Sequence, residues 1–237
     1  MVTFYIITLF PEAFDSYLKS SIIGRAIREK KIAVKFYNPR DFVSAPHSLI
    51  GANGRIRKKQ KNKWFYRQVD DKPYGGGPGM VLQALPYMRA AQKAIGKKKA
   101  EVYFFDTSGK QFSNADARAL ARNVGFRKPY IRDVVLICGH YEGVDARVQK
   151  VLKAKKISIG PYTLTGGELP AMLVIDAVSR QVKGVLGTFE SIEEERVSSS
   201  EVYTRPEILV WKGKKHRVPK VLLSGNHAKI DSWKRKR

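Results

Sequence analysis

The order of apolar runs along the chain limits the fold more than any other feature of this sequence. Short runs typical of buried strands occur at residues 2–10, 32–37, 101–105, 133–138 and 156–159. Segments with apolar residues at helical spacing alternate with them, at residues 12–29, 81–95, 114–124, 144–151 and 171–182. Strands that alternate with helices predict an α/β domain built on a mainly parallel sheet.

The length of the chain allows more than one folded unit. With 237 residues, the protein can form one large domain and a small second unit. We predict a domain at residues 1–187, a polar linker at 188–204 and a short C-terminal domain at 205–237. The apolar start lacks the basic region and cleavage site of a signal peptide, and therefore predicts a buried strand.

The cysteine and histidine content limits the class of protein. Cys138 is the only cysteine, which excludes internal disulfides and cysteine-based metal clusters, and the histidines match no zinc-site spacing. No apolar run reaches the roughly 18 residues of a membrane-spanning helix. We therefore expect a cytoplasmic protein without membrane association and without a metal site that can be read from the sequence.

An excess of positive charge points to a polyanionic partner. The chain has 45 Lys and Arg residues against 21 Asp and Glu residues, a net charge of +24. Because neutralising phosphates releases condensed counterions, this balance favours nucleic acid, although a solvated basic surface has the same composition. Residues 51–68 set aromatic side chains among lysines and arginines, which fits an RNA contact and a solvated loop equally well.

Three glycine-bearing loops are the candidates for ligand binding. They lie at residues 73–80, 138–147 and 159–170, and the second begins directly at the end of a predicted strand. Ligands of open α/β sheets bind outside the carboxyl ends of the strands, and glycine allows a ligand close to the backbone. The loops contain neither the Rossmann nor the P-loop glycine pattern, which argues against a conventionally bound dinucleotide or nucleoside triphosphate.

These loops resemble those of the bacterial tRNA (guanine-N1)-methyltransferases. Matching segments occur in the family's order over nearly the whole chain, at residues 69–80, 138–147, 158–172, 185–187, 203–206 and 221–227. The resemblance implies a SPOUT-type α/β domain with a deep trefoil knot, an exception to the rule that chains avoid threading, and a small C-terminal helical domain. It also implies methyl transfer from S-adenosylmethionine to N1 of guanosine 37 in tRNA, a homodimer with the active site at the subunit interface, and dependence on Mg²⁺.

The same resemblance assigns binding residues to positions of this sequence. The residues implied to bind S-adenosylmethionine are Phe105, Asp106, Thr107, Ser108, Gly139, His140, Glu142, Ile159, Gly160, Tyr162, Leu164, Gly166, Gly167 and Pro170. The residues implied to contact the substrate are Asp70, Pro78, Gly79 and Ser191. The three loops, taken together, are a better candidate for a binding site than any single glycine, since one glycine is most often part of a turn.

The reaction implied by the resemblance requires a base and a cation. Guanine N1 carries a proton at neutral pH, so a carboxylate must remove it, and a cation beside O6 stabilises the developing negative charge. The resemblance implies Arg180 as the cation. It aligns Glu195 with the family's aspartate base, which the neighbouring subunit contributes. Glu193 and Glu194 are adjacent carboxylates, and the sequence leaves open which of the three acts.

The chain departs from the family pattern at several points. Glu195 replaces an aspartate, Pro161 replaces another aspartate in the third loop, and the C-terminal domain is shorter than in relatives. These departures support an alternative, a non-catalytic or weakly active tRNA-binding protein on the same scaffold. The retained Arg180, Glu142 and glycine loops favour the enzyme. Another SPOUT methyltransferase with a different RNA target is disfavoured by the segments at 75–80, 203–206 and 222–227, which are those of the guanine enzyme.

Overall fold

The computed structural model describes residues 1–43, 67–122, 133–186 and 201–235. The chain divides into two compact units, Met1–Val185 and Leu186–Arg237. The strands of the described residues are β1 (Val2–Ile7), β2 (Ile32–Tyr37), β3 (Asp70–Asp71), β4 (Val81–Leu82), β5 (Ala100–Gln111), β6 (Asp133–Ile137), β7 (Lys155–Ser158), β8 (Ile208–Trp211) and β9 (Lys214–Arg217). The α-helices are α1 (Asp15–Leu18), α2 (Ser21–Arg28), α3 (Ala84–Ile95), α4 (Asn114–Arg122), α5 (Ala146–Leu152), α6 (Glu168–Arg180), α7 (Lys220–Leu223) and α8 (His227–Arg235).

A parallel sheet forms the centre of the first unit. Within the described residues it has five strands in the order β2-β1-β6-β5-β7, and every adjacent pair runs parallel. This confirms the predicted α/β class with a mainly parallel sheet. Strands β1 and β6 are buried along their whole length, as expected for central strands covered on both faces.

Two hydrophobic cores cover the two faces of the sheet. Alternate side chains of β1 enter different cores, with Phe4 and Ile6 on one face and Tyr5 and Ile7 on the other. Helices α2, α4 and α6 pack on the first face, and α3 and α5 pack on the second. Continuous apolar runs in β1 and β6 are therefore explained by burial on both sides.

Several predicted helix boundaries were wrong, and two of the differences have a visible cause. The helix predicted at 12–29 is divided into a 3₁₀ turn and the helices α1 and α2, and Ser20 Oγ donates to the carbonyl of Ser16 at 2.5 Å at the break. Such side-chain bonds to the backbone compete with helix continuation. The helix predicted to begin at residue 81 begins at Ala84, because β4 pairs with β3.

Strand β5 is longer than predicted. It extends to Gln111, and Phe105 and Lys110 both pair with Ile157, so the residues between them leave the regular register. A turn-like Asp-Thr-Ser-Gly sequence explains why the prediction ended the strand at residue 105. The irregularity leaves residues 106–109 of β5 without regular pairing to β7, at the place where the site described below is formed.

The second unit contains a hairpin that the sequence analysis did not predict. Strands β8 and β9 pair antiparallel, and both loop residues, Lys212 and Gly213, have positive φ angles. This is the backbone of a tight two-residue hairpin turn. All four side chains of β9 are exposed, so no apolar alternation marked the strand. Helices α7 and α8 follow, and most of the predicted linker at 188–204 lies outside the described residues.

Candidate functional site

A cavity of about 430 Å³ opens where β6 and β7 end and where β5 is irregular. Its walls are formed mainly by residues from the segments 104–107, 139–146 and 156–170, which contain residues of two of the three glycine-bearing loops. The position agrees with the general rule that ligands of parallel α/β sheets bind beyond the carboxyl ends of the strands. The volume lies within the range of about 300–1,000 Å³ that is usual for small-molecule sites.

The structure brings most of the residues implied to bind the cofactor to this cavity. Those that line it are Phe105, Asp106, Thr107, Gly139, His140, Glu142, Ile159, Gly160, Tyr162, Leu164, Gly166, Gly167 and Pro170. Ser108 does not line it. Its backbone N–H and its hydroxyl instead donate to Asp106 Oδ1, at 2.8 and 2.7 Å, and hold the turn in which Asp106 lies.

Several lining residues were not among those predicted individually, although some of them lie in the two predicted loops. They are Phe104, Tyr141, Gly143, Val144, Ala146, Gln149, Lys156, Ile157, Ser158, Thr163 and Thr165. Lys156 has the clearest electrostatic role, because its Nζ lies 2.8 Å from Asp106 Oδ2. The hydrogen bond from Lys156, helped by those from Ser108, lowers the pKa of Asp106 to about 2. Asp106 is thus an anion at the cavity wall throughout the physiological pH range.

The two glycine-bearing walls are joined through their backbones. Gly167 N donates to Gly139 O at 3.0 Å, and His140 and Gly166 form an antiparallel bridge. A Cβ on Gly167 would lie 2.5 Å from Cys138 Cα and 3.1 Å from Gly139 N, both backbone atoms that cannot turn aside. Glycine at position 167 is therefore required for the close approach of the two walls.

We expect Gly167→Ala to destabilise the protein by about 1–3 kcal/mol, the usual cost of overpacking. Because a domain of this size loses about 2–4 °C in Tm per kcal/mol, thermal unfolding should detect the change. Gly139→Ala is the matched control, since its Cβ would make only ordinary contacts, the nearest with Val144 Cγ2 at 3.4 Å. Equal Tm values for the two variants would contradict this account of the wall.

The first glycine-bearing loop is held against the second. Glu142 N donates to Met80 O at 3.1 Å, and Leu82 N donates to Gly143 O at 2.9 Å. Gly79 has a φ of +88°, and a Cβ there would lie 2.6 Å from Glu142 Oε1. Gly79 therefore lies against Glu142, a lining residue, and Pro78 precedes it in the same exposed loop.

Asp70 lies at the base of the same loop. It belongs to β3, which pairs with β4 across residues 72–80, and its carbonyl accepts from Gln83 Nε2 at 3.2 Å. The structure thus brings Asp70, Pro78 and Gly79 into one segment beside the cavity. Of the residues implied to contact the substrate, only Ser191 lies outside the described residues.

Arg180 lies away from the cavity of its own chain. It ends α6, whereas Pro170 near the start of α6 lines the cavity. At the helical rise of about 1.5 Å per residue, some 15 Å separates these two positions along the axis. Arg180 lies instead near Tyr17 and Asp176, whose side chains are hydrogen-bonded to each other.

The pKa of Tyr17 is shifted by burial and by its two charged neighbours, Asp176 and Arg180. Burial, together with the hydrogen bond and the charge of Asp176, raises the pKa of Tyr17 to about 12, and the charge of Arg180 partly offsets this. Tyr17 therefore remains a neutral donor to Asp176. The second proposed catalytic residue, Glu195, and its neighbours Glu193 and Glu194 lie outside the described residues, as do residues 44–66 with most of the basic segment 51–68.

Two further expectations concern metals and membranes. In the described ranges, no group of three or more His, Cys, Asp or Glu side chains is arranged to hold a metal ion. Among the helices of the same ranges, none has the length and apolar character needed to cross a membrane.

The chain matches a family model over almost its whole length. The model describes the tRNA (guanine-1)-methyltransferase TrmD and covers residues 2–237. The chain is 42% identical to a tRNA (guanine-N(1)-)-methyltransferase of Caldanaerobacter subterraneus, over 99% of this chain and 86% of the relative. Proteins of the same name from Clostridioides difficile and Pseudoalteromonas atlantica are 39% and 38% identical over 98% of this chain, and over 90% and 78% of their own lengths. The chain belongs to the tRNA (guanine-1)-methyltransferase family.

Proposed function

We propose that this protein transfers a methyl group from S-adenosylmethionine to N1 of a guanosine in tRNA, and that the target is guanosine 37. The observation that carries the proposal is the arrangement of two glycine-bearing loops around one cavity, with the first loop held against the second, in a chain of this family. A net charge of +24 agrees with a polyanionic substrate. Because the substrate is tRNA, we place the reaction in the cytoplasm.

The cavity suits a ligand with a planar base, a ribose and a charged tail. Its glycines allow close backbone approach, and exposed carbonyl and amide groups of such loops can bond to adenine and ribose. Glu142 and Asp106 supply carboxylates at the wall, which suit hydroxyl, amino and sulfonium groups. When bound, S-adenosylmethionine supplies an electrophilic methyl group. Pro161, which departs from the family pattern, is exposed in the third glycine-bearing loop, between the lining residues Gly160 and Tyr162.

The chemistry assigned to the chain is proton removal and charge stabilisation. Glu195 is proposed to accept the proton of guanine N1, so that the ring nitrogen becomes nucleophilic. Arg180 is proposed to stabilise the negative charge that develops on O6. Ser191 is proposed to lie against the target base. No group of three or more His, Cys, Asp or Glu side chains lies together within the described residues, and we place no magnesium-binding residues.

The separation of Arg180 from its own cavity supports a homodimer. Leu169 and Leu173 are 61% and 41% exposed, and they share one face of α6 with Asp176 and Arg180. An exposed apolar stripe beside a proposed catalytic group favours burial against a second copy of the chain. In such a dimer, residues of one protomer complete the site formed by the cavity of its partner. The family likeness also leads us to propose a trefoil knot within residues 1–187 and tRNA binding by residues 205–237.

Methyl transfer to defined tRNA transcripts tests the proposed function. With labelled S-adenosylmethionine, a transcript with guanosine at position 37 should be methylated, because its N1 proton can be removed. A transcript with adenosine there should acquire no label, since adenine carries an amino group in place of O6 and therefore develops no negative charge for Arg180 to stabilise. Binding of both tRNA and cofactor without transfer would instead support the alternative, a non-catalytic tRNA-binding protein. Transfer to the adenosine transcript at the same rate would contradict the assigned position.

A further inference from the structure

Three polar side chains, joined by hydrogen bonds, extend from the interior of the sheet to the cavity wall. Thr8 is fully buried and Glu168 is 7% exposed. Thr8 Oγ1 donates to Glu168 Oε1 at 2.6 Å, and His140 Nε2 lies 2.8 Å from Glu168 Oε2. His140 lines the cavity, whereas Glu168 and Thr8 do not. Both carboxylate oxygens of Glu168 are thus used, one toward the sheet and one toward the cavity wall.

The three residues come from separate parts of the fold. Thr8 follows β1 at the centre of the sheet, Glu168 begins α6, and His140 follows β6 in the second glycine-bearing loop. The hydrogen bonds between them therefore tie the loop that carries His140 to two rigid elements. Gly166 makes room for it, because a Cβ there would contact the imidazole of His140 and lie 2.6 Å from Glu168 Oε2.

The orientation of each of the three side chains follows from which of its atoms can donate and which can accept a hydrogen bond. Thr8 Oγ1 accepts from Phe10 N at 2.9 Å, so its hydrogen is directed to Glu168. The first turn of a helix favours a carboxylate, since the helix dipole is positive there. A carboxylate only accepts, so His140 Nε2 must carry the hydrogen of the bond to Glu168. The ring of Phe10 packs edge-on against His140 at 4.8 Å between centroids and limits its rotation.

We propose that Glu168 and Thr8 are positioning residues that hold His140, and with it the loop at 139–143, in the conformation that binds the cofactor. This inference rests on the proposed function, because it assigns the cavity to S-adenosylmethionine. The effect is exerted through His140 and through the contact between the two glycine-bearing walls. Residues that never touch the ligand thereby determine its affinity.

Calorimetric titration with S-adenosylhomocysteine, which carries no methyl group to transfer, measures the affinity directly. Glu168→Ala and His140→Ala should each raise the Kd about 10- to 100-fold, because each leaves a partner unsatisfied beside the wall. The double variant should be no weaker than the weaker single variant, since both substitutions remove the same contact. Glu168→Gln, which retains an acceptor for His140, should restore most of the affinity. In steady-state assays Glu168→Ala should raise the KM for S-adenosylmethionine and leave kcat at saturation near the wild-type value.

Glu101→Ala is the matched control for a merely structural loss. Glu101 is also a mostly buried carboxylate, bonded to Lys155 Nζ at 2.8 Å and to Tyr103, but it does not line the cavity. It should lower the Tm without changing the Kd. If Glu168→Ala lowers only the Tm, or if the effects of the two single variants add, the positioning role is wrong.

Thr8→Val is a milder variant that tests the same role if Glu168→Ala does not fold. It removes the donor to Glu168 Oε1 and should raise the Kd in the same direction by a smaller factor. An unchanged Kd for this folded variant would overturn the role of Thr8. If the wild-type protein binds neither S-adenosylhomocysteine nor S-adenosylmethionine, the proposed function itself fails, and this result is distinct from a failure of the positioning role.

Discussion

Replacing Arg180 with alanine is expected to lower kcat for methyl transfer about 10²- to 10³-fold, the usual effect of removing one group that stabilises developing charge. Charge appears on guanine O6 only when the N1 proton leaves, so the contribution of the guanidinium is largest in the transition state. Arg180 lies at the far end of α6 from the cavity of its own chain, and its proposed contact in the partner's site is with guanine O6, so the substitution should leave the Kd for S-adenosylmethionine unchanged.

Single-turnover measurements with guanosine-37 transcript check this expectation, since they separate chemistry from product release. Lys183→Ala is the control, because Lys183 is an exposed cation just beyond α6. Lys183→Ala should retain the wild-type rate of methyl transfer, because removing a positive charge near the end of α6 does not by itself affect the chemical step. Arg180→Lys should give an intermediate rate, since it keeps the charge but loses the planar donor geometry. A kcat for Arg180→Ala equal to that of Lys183→Ala would remove Arg180 from the mechanism.

Glu195→Gln is expected to lower kcat about 10²- to 10⁴-fold, the range that general bases contribute. The amide of glutamine cannot accept the N1 proton at neutral pH, although it retains the shape of the glutamate side chain. Glu193→Gln and Glu194→Gln are the matched controls and should retain near wild-type rates. A large loss in either control, with Glu195→Gln active, would assign the base to that neighbour. Glu195→Asp tests the departure from the family, and its rate should equal or exceed that of the wild type.

Glu195→Gln also tests the homodimer. An equal mixture of Glu195→Gln and Glu142→Ala chains should, after subunit exchange, recover about a quarter of the wild-type activity, because half of the dimers are mixed and each has one intact site. The expectation requires that the carboxylate of one protomer act at the cavity of the other. Recovery of no activity, with mixed dimers demonstrated by mass, would place Glu195 at the cavity of its own chain.

The amino-acid sequence by itself determined the fold class, the central strands and the position of the cavity. The continuous apolar runs of β1 and β6 could be read directly, because strands buried on both faces contain little but apolar residues. The glycine-bearing loops could be read for a similar reason, since close backbone approach excludes side chains at positions such as Gly167. Local signals of this kind do not depend on partners that are distant in the sequence.

Only the tertiary structure decided which separated residues act together. The bond between Thr8 and Glu168 joins residues far apart in the chain, and no local pattern marks either residue as its partner. The short strands β3 and β4 and the hairpin of β8 and β9 were likewise unpredicted, because few of their side chains are buried. The register irregularity of β5 depends on its pairing with β7. In each case the deciding interaction is long-range or is formed by the backbone, and the order of side-chain types carries little information about either.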